Sequence, residues 1–182
     1  MTGKRICVVL VAGVALTLLL GPVRAEDPPK HKFMGVTNCK MCHQKDDVGA
    51  QFKIWSESKH AKAWEVLATP EAKAAAEKKG ITGNPQEAPE CLKCHVTAFG
   101  VAAEFLDKKF DIKQGVQCET CHGPAGDYWK KETMKDLAAA EAAGLIKPTE
   151  ELCKKCHNEE SPFYKEFKFD EFKAKIAHPK PK

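Results

Sequence analysis

The chain has 182 residues, 29 of them basic and 25 acidic, for a formal net charge of +4. That length suits one domain, and so mild a charge, with lysines spread along the chain, excludes a strongly basic nucleic-acid binder. Apart from the amino-terminal apolar run, no segment is apolar enough to cross a membrane.

Residues 1–25 read as a secretory signal peptide. Lys4 and Arg5 form a basic start, Ile6 to Leu20 is apolar apart from Gly13 and Thr17, and Gly21-Pro22 breaks the run. Val23-Arg24-Ala25 offers small residues at both recognition positions of a cleavage site, so cleavage is expected after Ala25. The mature chain, 26–182, then forms a single domain with 26 basic and 25 acidic residues. It is expected in the periplasm without a membrane span. Cys7, the one odd cysteine of nine, is lost with the signal.

A Pro- and Lys-rich start follows, carrying His31 and Met34. Cys39-Lys40-Met41-Cys42-His43 comes next. Asp46 to Ala68 has the longest helical pattern, with Phe52, Trp55, Lys59 and Ala63 at helical spacing. Pro70 restarts a helix over Glu71–Lys79, which Gly80 stops. Ile81 to Pro89 is a loop around Gly83-Asn84-Pro85. After Cys91-Leu92-Lys93-Cys94-His95, residues Val101 to Val116 allow a small hairpin around Asp107-Lys108-Lys109. Cys118-Glu119-Thr120-Cys121-His122 leads to a helix over Met134–Ala143, ended by Gly144. Cys153-Lys154-Lys155-Cys156-His157 precedes a final helix, Phe169–Ala177, that runs into His178.

All eight mature cysteines fall in four C-x-x-C-H motifs, leaving none for a disulfide. The spacing suits c-type haem attachment. Two thiols add to the haem vinyl groups, one helical turn spans the distance, and the next residue donates an imidazole nitrogen to the iron. A zinc ribbon needs no histidine after every cysteine pair, and a redox C-x-x-C occurs once, within a βαβ pattern. The sequence therefore predicts four covalently attached haem c groups. Their thioethers lie at Cys39, Cys42, Cys91, Cys94, Cys118, Cys121, Cys153 and Cys156, and their proximal ligands are His43, His95, His122 and His157. In the oxidised state the propionates would take the mature charge from +1 to about −3.

The motifs recur at intervals of 52, 27 and 35 residues, so no solenoid is indicated. The expected fold is mainly α: a multihaem cytochrome c whose short helices and loops wrap four haems that form most of the core. Trp55, Trp64, Phe99, Phe105, Phe110, Tyr128 and Trp129 are expected to pack on the haems and on one another.

Four irons have eight axial positions, and the chain has seven histidines. Three remain as distal ligands: His31, His60 and His178. At least one iron therefore has another sixth ligand or an open site. Met34, Met41 and Met134 are the available thioethers, with Met41 badly placed inside a motif.

The run Trp55-Ser56-Glu57-Ser58-Lys59-His60-Ala61-Lys62-Ala63 resembles the W-x-x-x-x-H-A-K-A segment of the tetrahaem cytochrome c-554 family, which includes the electron acceptor of hydroxylamine oxidoreductase. Cys91 to Gly100, Gly115 to Pro124 and Phe167 to Phe172 extend the resemblance over nearly the whole mature chain. It implies a mainly helical monomer with closely packed haems, some stacked in near-parallel pairs. It also implies that His60 caps the iron on His122, that His178 caps the iron on His157, and that the iron on His95 is open. The family's distal histidine for the first haem follows the C-H-G-P segment. Here Ala125-Gly126-Asp127-Tyr128-Trp129-Lys130 stands there, so the iron on His43 needs His31, Met34 or Tyr128, or is open, with His31 preferred.

The expected function is electron transfer between redox partner proteins of a respiratory chain, without catalysis. Two alternatives stand beside it: a haem enzyme reducing nitric oxide or peroxide at an open haem, and a subunit of a polymeric cytochrome wire.

Overall fold

The computed structural model describes residues 29–180. The signal-peptide reading lies outside them. Among the described residues there are nine short α-helices, four single 3-10 turns and no strand. Four helices end on the motifs: α1 (Val36–His43), α4 (Pro89–His95), α5 (Cys118–His122) and α8 (Glu150–Lys154), the last running into Cys156-His157. The others are α2 (Gln51–Glu57), α3 (Pro70–Lys78), α6 (Lys131–Lys135), α7 (Leu137–Ala142) and α9 (Phe169–Ala174).

Local chemistry sets several of these boundaries. Pro70 opens α3, where Thr69 Oγ1 accepts from Ala72 N at 3.2 Å. Thr149 caps α8 in the same way. Asp136 caps α7 through Ala139 N, and so splits the helix expected over Met134–Ala143 into α6 and α7. α9 stops at Ala174, short of the expected Ala177.

The long helix expected from Asp46 to Ala68 is broken. A 3-10 turn (Asp46–Val48), α2 and a second 3-10 turn (Glu65–Ala68) share the span, with turns from Ser58 to Trp64 between them. The partner of the unwound stretch explains the break. His60 O accepts from Val116 N at 3.0 Å, and Trp55 Nε1 donates to Val116 O at 2.8 Å. Gly115 permits this approach, because a Cβ there would stand 2.6 Å from His60 O and 2.9 Å from Ala61 O, and its φ is +73°. His60 O, an acceptor for a helical turn in an unbroken helix, is shared with Val116 N at the approach to the third motif.

The hairpin expected over Val101–Val116 is absent. Two 3-10 turns, Ala103–Phe105 and Ile112–Gln114, occupy the span. Its one ladder-like contact is an isolated bridge between Phe33 and Leu106.

The apolar core is small. Met34, Ala125, Tyr128 and Ala140 form its buried centre, with Met134, Ala143 and Leu145 packed around it. Of the aromatics expected against haems, Trp55 tilts against Phe52 and Phe110 packs edge-on to Phe33, whereas Phe99 and Trp129 are exposed. No helix among the described residues is long and apolar enough to cross a membrane.

Candidate functional site

A buried polar network surrounds the first and third motifs. Glu119, only 3% exposed, accepts from Met34 N (2.8 Å), Gly35 N (2.7 Å) and Ala125 N (2.7 Å). Burial pushes its carboxyl up, against the lowering effect of those three amides. Gln117 Oε1 accepts from Val36 N at 2.8 Å, and its Nε2 donates to Asp111 O at 2.9 Å. These bonds pin α1 to α5. At the same junction Cys39 and Cys118 neighbour one another, and their interaction pushes the Cys39 thiol up and the Cys118 thiol down.

The second and fourth motifs meet in a corresponding way. Cys156 neighbours Cys94, which pushes the Cys156 thiol up and the Cys94 thiol down, and Lys93 pairs with Glu160 across the same gap. His157 stacks on Phe167 at 5.0 Å and meets Phe172 edge-on at 5.7 Å. A cavity of about 150 Å³ opens beside Cys156 and His157, with Phe163, Tyr164 and Phe172 in its wall. Among the described residues, no three His, Cys, Asp or Glu side chains converge as ligands for a bare metal ion. A zinc ribbon would need four converging ligands.

The histidines test the fit to haem. His60 and His157 have ring centroids 6.0 Å apart, and His122 and His178 stand 5.9 Å apart. An iron with an imidazole nitrogen about 2 Å away on each side leaves the ring centroids roughly 6 Å apart. Burial holds His60, His122 and His157 below the usual histidine range, which favours the neutral ring a metal requires. The ring hydrogen bonds agree. His95 Nδ1 donates to Ala63 O (2.6 Å), His122 Nδ1 to Ile146 O (3.3 Å) and His178 Nδ1 to Pro179 O (3.3 Å). His43 Nδ1 donates to Gln51 Oε1 at 3.2 Å, with the Gln51 amide oriented by its own bonds to Val48 O and Pro179 O. A proton on Nδ1 leaves the Nε2 lone pair free for iron. The residues fit the group.

The ring neighbours differ from the couples that the resemblance implies: His60 lies beside His157, and His178 beside His122. The unwound segment from Ser58 to Trp64 carries His60 toward the fourth motif. The chain after α9 returns past Gln51 and brings His178 to the third.

The candidates for the first iron are dispersed. Met34 is buried in the apolar core, and Tyr128 donates its hydroxyl to His122 O and Gly123 O. His31 Nδ1 lies 2.6 Å from Asp127 Oδ2. The sequence reading missed Gln51, Gln117, Glu119 and Asp127. Of these only Glu119, an acid inside a C-x-x-C-H motif, carried a local signal.

A helical chain without strands among its described residues, whose C-x-x-C-H motifs lie at the ends of its helices, has the fold class of a multihaem c-type cytochrome. Residues 38–123, which include the first three motifs, match the family described as cytochrome c554 and c-prime. The chain is 33% identical over 150 residues to cytochrome c-554 of Nitrosomonas europaea, covering 80% of this chain and 60% of that protein. It is 30% identical over 111 residues to the multihaem cytochrome MtrA of Shewanella baltica, covering 56% of this chain and 33% of that protein. The chain is thus similar to these cytochromes and spans less than two thirds of the length of either. No solved structure matches it.

Proposed function

We propose that the chain is a periplasmic relay carrying four haems, which takes electrons from one respiratory redox protein and passes them to another. The observation that carries this reading is the pair of histidine couples, His60 with His157 and His122 with His178, each spaced for one intervening iron. Bound haem supplies one-electron chemistry at an iron whose potential its axial ligands and surroundings set.

The chain's part is to hold, orient and insulate. Cys39 and Cys42, Cys91 and Cys94, Cys118 and Cys121, and Cys153 and Cys156 provide the thioether attachments. His43, His95, His122 and His157 would provide the proximal nitrogens, and His60 and His178 would serve the haems of His157 and His122 as second imidazoles. Ala63 O orients His95, for which no second imidazole is assigned, so a haem held there would be accessible to a small ligand such as carbon monoxide. The buried bonds that tie the first motif to the third, and the Lys93–Glu160 pair that links the second to the fourth, favour two close haem pairs.

Haem quantitation and intact mass on the exported protein test this reading. The expected result is residues 26–182 plus four haems in the periplasmic fraction, with four one-electron steps on potentiometric titration. Fewer haems, or retention of the chain in the cytoplasm, contradicts it.

A further inference from the structure

Neither His60 nor His178 serves the iron on His43, and the geometry around the stretch after the third motif points to a ligand for it. His43 and His178 share one side of the first and third motifs, because Gln51 bonds both His43 Nδ1 and Pro179 O. The opposite side is that of His122, whose carbonyl accepts from Ile146 N at 3.0 Å. His31 is on this opposite side. Gly144, two residues before Ile146, lies against its ring, and a Cβ there would stand 2.9 Å from Cδ2 and 3.0 Å from Nε2. Gly126 N donates to Lys32 O at 2.8 Å, which ties the chain around His31 to the stretch after the third motif.

His31 also shares the bonding pattern of the other histidines. Its Nδ1 lies 2.6 Å from Asp127 Oδ2, the ring is only partly exposed, and the Nδ1 proton leaves Nε2 with a free lone pair. Asp127 follows Cys118-Glu119-Thr120-Cys121-His122 by five residues, beside the Gly126 that bonds Lys32 O.

We infer that Asp127 is the positioning residue of a replacement axial ligand: its carboxylate fixes the tautomer of His31, whose Nε2 caps the iron on His43 from the amino-terminal segment. A carboxylate on Nδ1–H makes the imidazole a stronger donor and favours ferric iron, so Asp127 lowers the potential of the first haem. The inference rests on the reading of the first motif as a haem site.

The test uses the haem-loaded full chain. His31→Ala is expected to convert one low-spin ferric signal to high-spin and to raise carbon monoxide uptake by about one haem per chain. Asp127→Asn is expected to leave every spin state as it was and to raise one of the four midpoint potentials, with Asp127→Glu restoring it. Asp127 is exposed, so its exchange for asparagine leaves the fold intact. An unchanged spin state in His31→Ala, or four unchanged potentials in Asp127→Asn, overturns the inference and leaves the relay intact. A wild-type chain without haem on Cys39 and Cys42 overturns both.

Discussion

The first and third motifs are held together very differently from the second and fourth. Around Cys39 and Cys118, the protein builds its own scaffold. Glu119 and Gln117 receive three and one buried backbone amides, and Asn38 Nδ2 donates to Met34 O at 2.7 Å. Around Cys94 and Cys156 the contacts are an exposed ion pair and an aromatic cluster beside a cavity. Phe163 is 67% exposed at that cavity. Buried amides demand partners and fix a single arrangement. One half of the molecule is a hydrogen-bonded frame; the other is held by an exposed ion pair and aromatic packing, which fix an arrangement less tightly.

Breaking the frame has the largest expected effect. Glu119→Ala leaves three buried N–H groups without an acceptor and should cost about 3 kcal/mol or more of unfolding free energy. Denaturant titration of the haem-loaded protein measures this. Gly115→Ala follows, at about 2–4 kcal/mol, because φ +73° and ψ −145° exclude a side chain and two carbonyls crowd the Cβ. That variant should also disturb the haem on His157, through His60, in the optical spectrum. Tyr128→Phe removes a hydroxyl that donates to two carbonyls and should cost about 1 kcal/mol. Lys93→Ala, at the exposed pair with Glu160, should leave the melting temperature unchanged. Hydrogen exchange on haem-free chain sharpens the contrast further. Amides of residues 117–128 should keep more protection than those of 150–174, and equal exchange in both would dissolve the distinction.

The motifs, the helical class and the shortage of histidines were all legible in the sequence, because each follows from residue identity and local spacing. The breaks in the helices were not. Helical periodicity runs straight through Ser58 and Lys59, and only the docking of Gly115 against His60 O ends the helix there. That His60 lies beside His157 was hidden for the same reason, since it depends on where an unwound segment points. Gln51 and Asp127 read as ordinary polar residues. Their roles come from partners far along the chain: Pro179 O for Gln51, and His31 for Asp127.

The axial pairing is tested most directly by ferric electron paramagnetic resonance of the haem-loaded wild-type chain, followed by carbon monoxide titration of the reduced protein. The account predicts three low-spin haems, one high-spin haem and about one carbon monoxide bound per chain. Four low-spin haems that ignore carbon monoxide, or two or more that bind it, would contradict the pairing of His31, His60 and His178 with His43, His157 and His122.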